Sequence, residues 1–199
     1  MSTKEKELRP EERFVAYLQR LVDEEDRAPL ASLRRGLGKA PGEAAEVMRY
    51  VLPRMPQNAS RWDEDAYFLV ATLFALHQIN WPSSKDSTQA TNLGASFARL
   101  GREVESESIE KRFVALLNCH QDDLPTHLRH AVSLLKSKEI PIDWARLLRD
   151  VRGWNHADRY VQRNWARAFW ANSAAAEQPS SDQSNQEVNE TTPPAKGEN

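Results

Sequence analysis

Apolar residues recur every three or four positions along almost the whole chain, and no stretch alternates in the manner of a strand. The pattern predicts an all-α fold, a compact helical bundle of about eight or nine helices. Pro10 with Glu11 and Glu12 opens the first: proline there sacrifices no hydrogen bond and the acids complement the helix dipole. Phe14, Leu18 and Leu21 form its inner face. Leu30 to Leu37 reads as a short helix stopped by Gly36 and Gly38, and Glu43 to Leu52 as a third, ended by Pro53. Ser60-Arg-Trp-Asp63 is a capping box with aspartate in place of glutamate. It opens Trp62 to Ile79, apolar on most sides and expected to be the central helix. Five more helices follow at Gly94 to Leu100, Ile109 to Cys119, Leu124 to Lys138, Trp144 to Arg152 and His156 to Trp170. Asp143 and Asn155 are the expected N-caps of the last two, and Gly153 the stop between them.

Those last two helices carry six arginines in register. Trp144, Leu147, Leu148 and Val151 share one face, while Arg146, Arg149 and Arg152 share another. Val161, Trp165, Ala168 and Phe169 are likewise backed by Arg159, Arg163 and Arg167. Planar, permanently charged forks over an apolar underside suit a phosphate backbone, because guanidinium matches phosphate oxygens bidentately. The same rows are also what the solvated faces of ordinary amphipathic helices look like.

The formal net charge of −2 hides an uneven distribution. Residues 174–199 carry five acids and one lysine, and residues 1–28 eight acids and six bases, leaving 20 basic and 16 acidic groups between 29 and 173, a balance of +4. The organisation expected is a flexible N-terminus over 1–9, one helical domain over 10–173, and a disordered acidic tail over 174–199. Two sub-bundles, 10–80 and 93–173, joined by a polar loop at 82–92, are the alternative arrangement of that domain. The Met1 end shows no signal peptide, and no run approaches a membrane span, so a cytoplasmic chain without a membrane partner is expected.

Candidate chemistry is sparse. Gly-rich phosphate loops, G-x-S-x-G elbows, H-E-x-x-H motifs and paired carboxylates in apolar runs are missing, which argues against an enzyme. Cys119, His120, Asp122, Asp123, His127 and His130 have a metal-like composition without ligand spacing, so no metal and no cofactor are expected. An enzyme using Cys119 and His120 is the remotest alternative. Basic candidates remain: Arg34 and Arg35 with Gly36, Gly38 and Lys39; Arg99 and Arg102 beside Ser96; Lys111 and Arg112; Arg129 and Lys136 with Ser133 between. Of the tryptophans, Trp154 and Trp170, at helix ends, are left without an apolar face.

The runs Ala31-Ser-Leu-Arg-Arg-Gly-Leu-Gly38, Gly94-Ala-Ser-Phe-Ala-Arg-Leu100, and Ile109-Glu-Lys-Arg-Phe through Leu128-Arg-His to Ile142-Asp-Trp-Ala-Arg-Leu-Leu148 resemble the CasB family. That family is the small subunit of Cascade, the guide-RNA surveillance complex of type I-E CRISPR systems. The likeness spans about residues 10 to 172 and leaves out the acidic tail. It implies a non-catalytic helical protein, paired head to tail with a second copy, contacting other Cascade subunits and holding CRISPR guide RNA and target DNA so as to stabilise the R-loop. The family's basic positions fall on Arg34, Arg35, Arg99, Lys111, Arg112 and Arg129, with His130 where some relatives carry a second arginine. Arg146, Arg149 and Arg152 come from the helical wheel instead, as does the Arg159, Arg163 and Arg167 row, which equally suits a protein partner. The competing reading is an adaptor whose arginine rows meet acidic protein surfaces without touching nucleic acid.

Overall fold

The computed structural model describes residues 8–81, 91–104 and 107–174. Most of the expected 82–92 loop, nearly all of the expected N-terminal arm and all but one residue of the acidic tail lie outside these segments. Among the described residues there are nine α-helices and no strand: α1 Pro10–Asp23, α2 Arg27–Arg35, α3 Ala45–Val51, α4 Arg61–Leu76, α5 Leu93–Glu103, α6 Glu107–Asn118, α7 Leu124–Ser137, α8 Trp144–Arg152 and α9 Tyr160–Ala174. The central helix is α4, buried along most of its length from Ala66 to Ala75 and packed by α2, α3, α7 and α8. Helix α1 lies against α8 and α2. Helices α5, α6 and α9 form a second packing group, joined to the first through α7. One apolar cluster runs from Phe14 to Phe169 across both groups.

Local signals work as read in several places. Ser60 and Asp63 cap α4 reciprocally, the Asp63 N–H donating to Ser60 Oγ at 3.1 Å and the Ser60 N–H to Asp63 Oδ2 at 2.9 Å. Asp143 caps α8 by accepting from the Arg146 N–H at 2.9 Å, and Gly153 ends it.

Two helix ends differ from the periodicity. Helix α4 stops at Leu76 instead of reaching Ile79, because His77 turns to extended backbone (φ −140°, ψ 97°) and its buried ring bonds the Ile140 carbonyl at 2.7 Å. The next residues run alongside the entrance to α8. Asn80 bridges Ile142, and the Ile79 carbonyl accepts from Ile142 N–H at 3.2 Å and Trp144 Nε1–H at 3.3 Å. Helix α9 begins at Tyr160, four residues later than expected, so Asn155 does not cap it. Arg159 sits at φ 47°, a left-handed kink between a turn and the helix. That turn packs the Tyr160 hydroxyl where a Cβ on Gly153 would stand, 1.9 Å away.

Trp154 is not left over. It is 3 % exposed, with its ring 5.1 Å from that of Trp165. Trp170 does reach the surface, 40 % exposed, donating from Nε1 to Glu110.

Candidate nucleic-acid interface

The basic candidates separate into arginines that hold the fold together and cations that face solvent. Arg152 belongs to the first kind. From the end of α8 it donates to Asp63 at the start of α4 and to Glu11 at the start of α1, while the Trp62 Nε1–H donates to the Arg152 carbonyl. Three helices are thereby tied at one guanidinium. Burial alone would raise the Asp63 carboxyl, but hydrogen bonds from Arg152 and Ser60 outweigh it and hold the group below its ordinary value. Next to them Tyr67 is pushed up to about 12, first by burial and then by the Glu11 charge. Arg152 therefore points inward, because its carboxylate partners lie beneath the stripe that the wheel treats as an outer face.

Arg146 is committed in a similar way, pairing at 2.9 Å with Asp150, a carboxylate only 2 % exposed. The other Asp150 oxygen accepts from Trp165 Nε1 at 2.7 Å, which pins α9 to α8. Burial raises the Asp150 carboxyl despite the Arg146 charge. Arg149 is half-buried, its Nε without a partner among the described residues. Arg159 spends its guanidinium on the Leu117 carbonyl at the end of α6, 2.7 Å away. Arg163 and Arg167 are exposed.

Around α2 and α7 the structure brings several candidates together. Arg34 and Arg35 end α2, and both face solvent although Arg34 Nε donates to the Ala75 carbonyl and Arg35 to Ser32 Oγ. The close approaches that the glycines permit are taken up by the protein itself. A Cβ on Gly36 would meet Val47 at 2.7 Å, and one on Gly38, at φ 81°, would meet Arg129 Nη1 at 2.6 Å. Arg129 thus lies over the turn after α2 and closes one side of a groove of about 990 Å³ between that turn, α4 and the start of α7. Lys39, Arg61 and Arg129 supply its positive charge, and Trp62, Phe68 and Leu69 its apolar floor. Glu64, Asp65 and Asp122 also line it, so its field is mixed. Arg61 was missed from sequence because its position inside the capping box reads as helix initiation. One and two turns beyond Arg129, Ser133 and Lys136 are exposed.

The remaining candidates lie on α5 and α6. Ser96 is fully buried and donates to the Pro141 carbonyl at 2.8 Å, so it serves packing. Arg99 lies over the Trp81 ring at 5.3 Å. Lys111 pairs with Glu107 at 3.4 Å, both well exposed, an interaction worth little. Arg102 and Arg112 are exposed, with no hydrogen bond or ion pair to a described residue.

No cluster of three or more His, Cys, Asp or Glu side chains among the described residues is arranged to hold a metal. Burial, then the Asp123 charge, push the Cys119 thiol up to about 11, which leaves it protonated and a poor nucleophile. Among the described residues no helix is long and apolar enough to cross a membrane.

With this geometry in hand, known proteins give a consistent picture. The family described as CRISPR-associated protein Cse2 matches residues 29–170. The CRISPR-associated protein Cse2 of Thermus thermophilus is 36 % identical over 171 residues, covering 85 % of this chain and 95 % of its own. The crystal structure of M. ruber CasB superposes with a TM-score of 0.73 at 35 % identity, over 86 % of this chain and 98 % of that one. A chain from a CRISPR RNA-guided surveillance complex superposes with a TM-score of 0.69 at 30 % identity, over 84 % and 98 % of the two chains. The match extends through the helices that carry Arg34, Arg35, Arg99, Arg112 and Arg129, and on this basis the chain belongs to the Cse2, or CasB, family of CRISPR-associated proteins.

Proposed function

We propose that this protein is the non-catalytic small subunit of a CRISPR RNA-guided surveillance complex of the Cascade type. In that role it holds guide RNA and target DNA by their backbones, beside other subunits and a second copy of itself. The observation that carries the reading is the likeness, over 98 % of its length, to a chain solved within such a complex. Exposed Arg34, Arg35, Arg102, Arg112 and Lys136, with Arg129 above the α2 turn, supply the cations. Guide pairing reads the sequence in such assemblies, so an accessory subunit needs only backbone contacts. Because R-loop formation is nearly balanced in energy, a few phosphate contacts at these cations are enough to favour the opened state. Arg146 and Arg152 leave this set, since their guanidiniums satisfy Asp150, Glu11 and Asp63.

The test is to assemble the complex with Arg112→Ala/Arg129→Ala and compare its composition and its retention of target DNA with wild type. Normal assembly with weakened DNA retention supports the reading. The adaptor alternative draws support from Val114 and Trp170, large apolar side chains exposed on α6 and α9. It expects failed assembly with those substitutions.

A further inference from the structure

Helices α5 and α9 present an arginine face, and at one end of it the chain leaves the described fold. The two helices run side by side in the same direction. At their starts the Asn92 Nδ2 donates to the Asn164 carbonyl at 3.2 Å, and a Cβ on Gly94 would run into the Trp165 carbonyl. One turn on, Phe97 and Phe169 meet the same Phe113 ring, with centroids 5.0 and 4.4 Å from it. Arg102, eight positions after Gly94, is therefore level with Ser173, eight after Trp165, in the last turn of α9. Arg99 and Arg102 on α5 and Arg163 and Arg167 on α9 are all exposed, and Glu103 is the carboxylate that these two helices carry. On neighbouring α6, Arg112 is exposed, Glu107 pairs with Lys111, and Glu110 accepts from Trp170. Asp158 adds a negative charge before α9 and Glu105 one in the α5–α6 connection, so the positive excess is modest. Beyond Ala174 the sequence carries Glu177, Asp182, Glu187, Glu190 and Glu198 against Lys196. The Cse2 family match stops at residue 170, so these acids lie outside the part shared with the family.

From this juxtaposition we infer that the acidic tail, residues 175–199, docks on the α5/α9 arginine face and competes there with nucleic acid, an intramolecular brake on cations that include Arg102. Reach does not limit it. Glu177 is three residues past Ala174, about 10 Å at full extension, and Arg167 lies seven residues back along the helix, also about 10 Å. A modest excess of charge holds a free acidic peptide poorly, but a tethered one is present at an effective concentration on the order of 1 mM. An acidic partner must find this face from solution, whereas the tail begins on it. The five acids are spread over the 22 residues from Glu177 to Glu198, while a DNA duplex carries about one charge per 1.7 Å. Nucleic acid held in register therefore displaces the tail, and the brake weakens loose contacts more than those made inside an assembled complex. What the tail competes with rests on the proposed nucleic-acid role; the docking itself does not.

The experiment keeps the full chain and neutralises the tail with Glu177→Gln/Asp182→Asn/Glu187→Gln/Glu190→Gln/Glu198→Gln, alone and combined with Arg102→Ala/Arg167→Ala. Without nucleic acid, the Nε–H NMR resonances of Arg102 and Arg167 are expected to differ between wild type and the neutral tail at low salt, with that of Arg34 unmoved, and to converge at high salt. With a non-specific DNA duplex as probe at low salt, the neutral tail should raise affinity about three- to tenfold, and should no longer do so once Arg102 and Arg167 are alanine. Unchanged resonances overturn the inference. So does a gain in affinity that survives the two alanines, because the tail then acts through net charge alone. A neutral-tail chain that no longer co-purifies with partner subunits overturns it too, since the tail then serves a protein. Equal DNA affinity with either tail overturns the competition and leaves the proposed function standing. No DNA binding with either tail, while the resonances still shift, overturns the proposed function and leaves the docking standing.

Discussion

Arg129 lies against the backbone of Gly38, where a Cβ would come within 2.6 Å of Nη1. This close approach joins the turn after α2 to α7 and sets where an otherwise long, mobile guanidinium stands. Positive φ at Gly38 and the absence of a side chain are both needed, because an L residue is strained there and its Cβ would push the arginine aside.

Gly38→Ala therefore combines backbone strain with displacement of Arg129. A loss of about 1–2 kcal/mol is expected in urea unfolding. The variant should also bind DNA as weakly as Arg129→Ala, whereas Gly42→Ala, with open space around its would-be Cβ, should not.

Arg152 is a structural arginine by the same logic of partners. Arg152→Met leaves Glu11, which is 6 % exposed, without its counter-charge, and Asp63 Oδ1 without its donor, Oδ2 keeping those of Ser60. The expected cost is about 2–3 kcal/mol, below the full value for a buried pair because Arg152 keeps some solvent exposure. Denaturant unfolding measures it. The salt dependence of DNA binding should not change.

Two carboxylates give opposite pH signatures. Asp63 is held below its ordinary value of 3.8, so its contribution is present above that value and is lost as pH falls through the folded value. Asp150 is held above 3.8, so the folded chain binds the extra proton and stability declines as pH rises from 3.8 through the folded value. Stability measured against pH should lose its acid-side drop in Asp63→Asn. The decline just above 3.8 should flatten in Asp150→Asn, whose amide still accepts from Trp165.

Cys119, with its thiol raised to about 11, should react slowly with a disulfide reagent at neutral pH and accelerate only in strong alkali. A midpoint near that of an exposed thiol would show that the α6–α7 corner opens.

Much of the fold was legible because helical periodicity and capping are local. Phe14, Leu18 and Leu21 face inward as their spacing requires, and the Ser60–Asp63 and Asp143 caps stand where the sequence places them. The misplaced helix ends depend on distant residues: His77 is stopped by Ile140, 63 positions away, and the start of α9 by how Tyr160 meets Gly153. The inward pairing of Arg146, Arg152 and Arg159 within the arginine rows was hidden for the same reason. A wheel shows which way Arg152 points relative to its own helix but cannot show that Asp63 and Glu11, 89 and 141 positions earlier, wait beneath it.

The most direct test of the nucleic-acid role is the salt dependence of DNA binding by the full chain, wild type beside Arg112→Ala/Arg129→Ala. Affinity should fall linearly in log–log form, and the variant's slope should be shallower by about 0.7–0.9 for each phosphate that it no longer engages. An identical slope in both proteins, or no binding by wild type at low salt, would contradict the account and favour an adaptor that meets only protein.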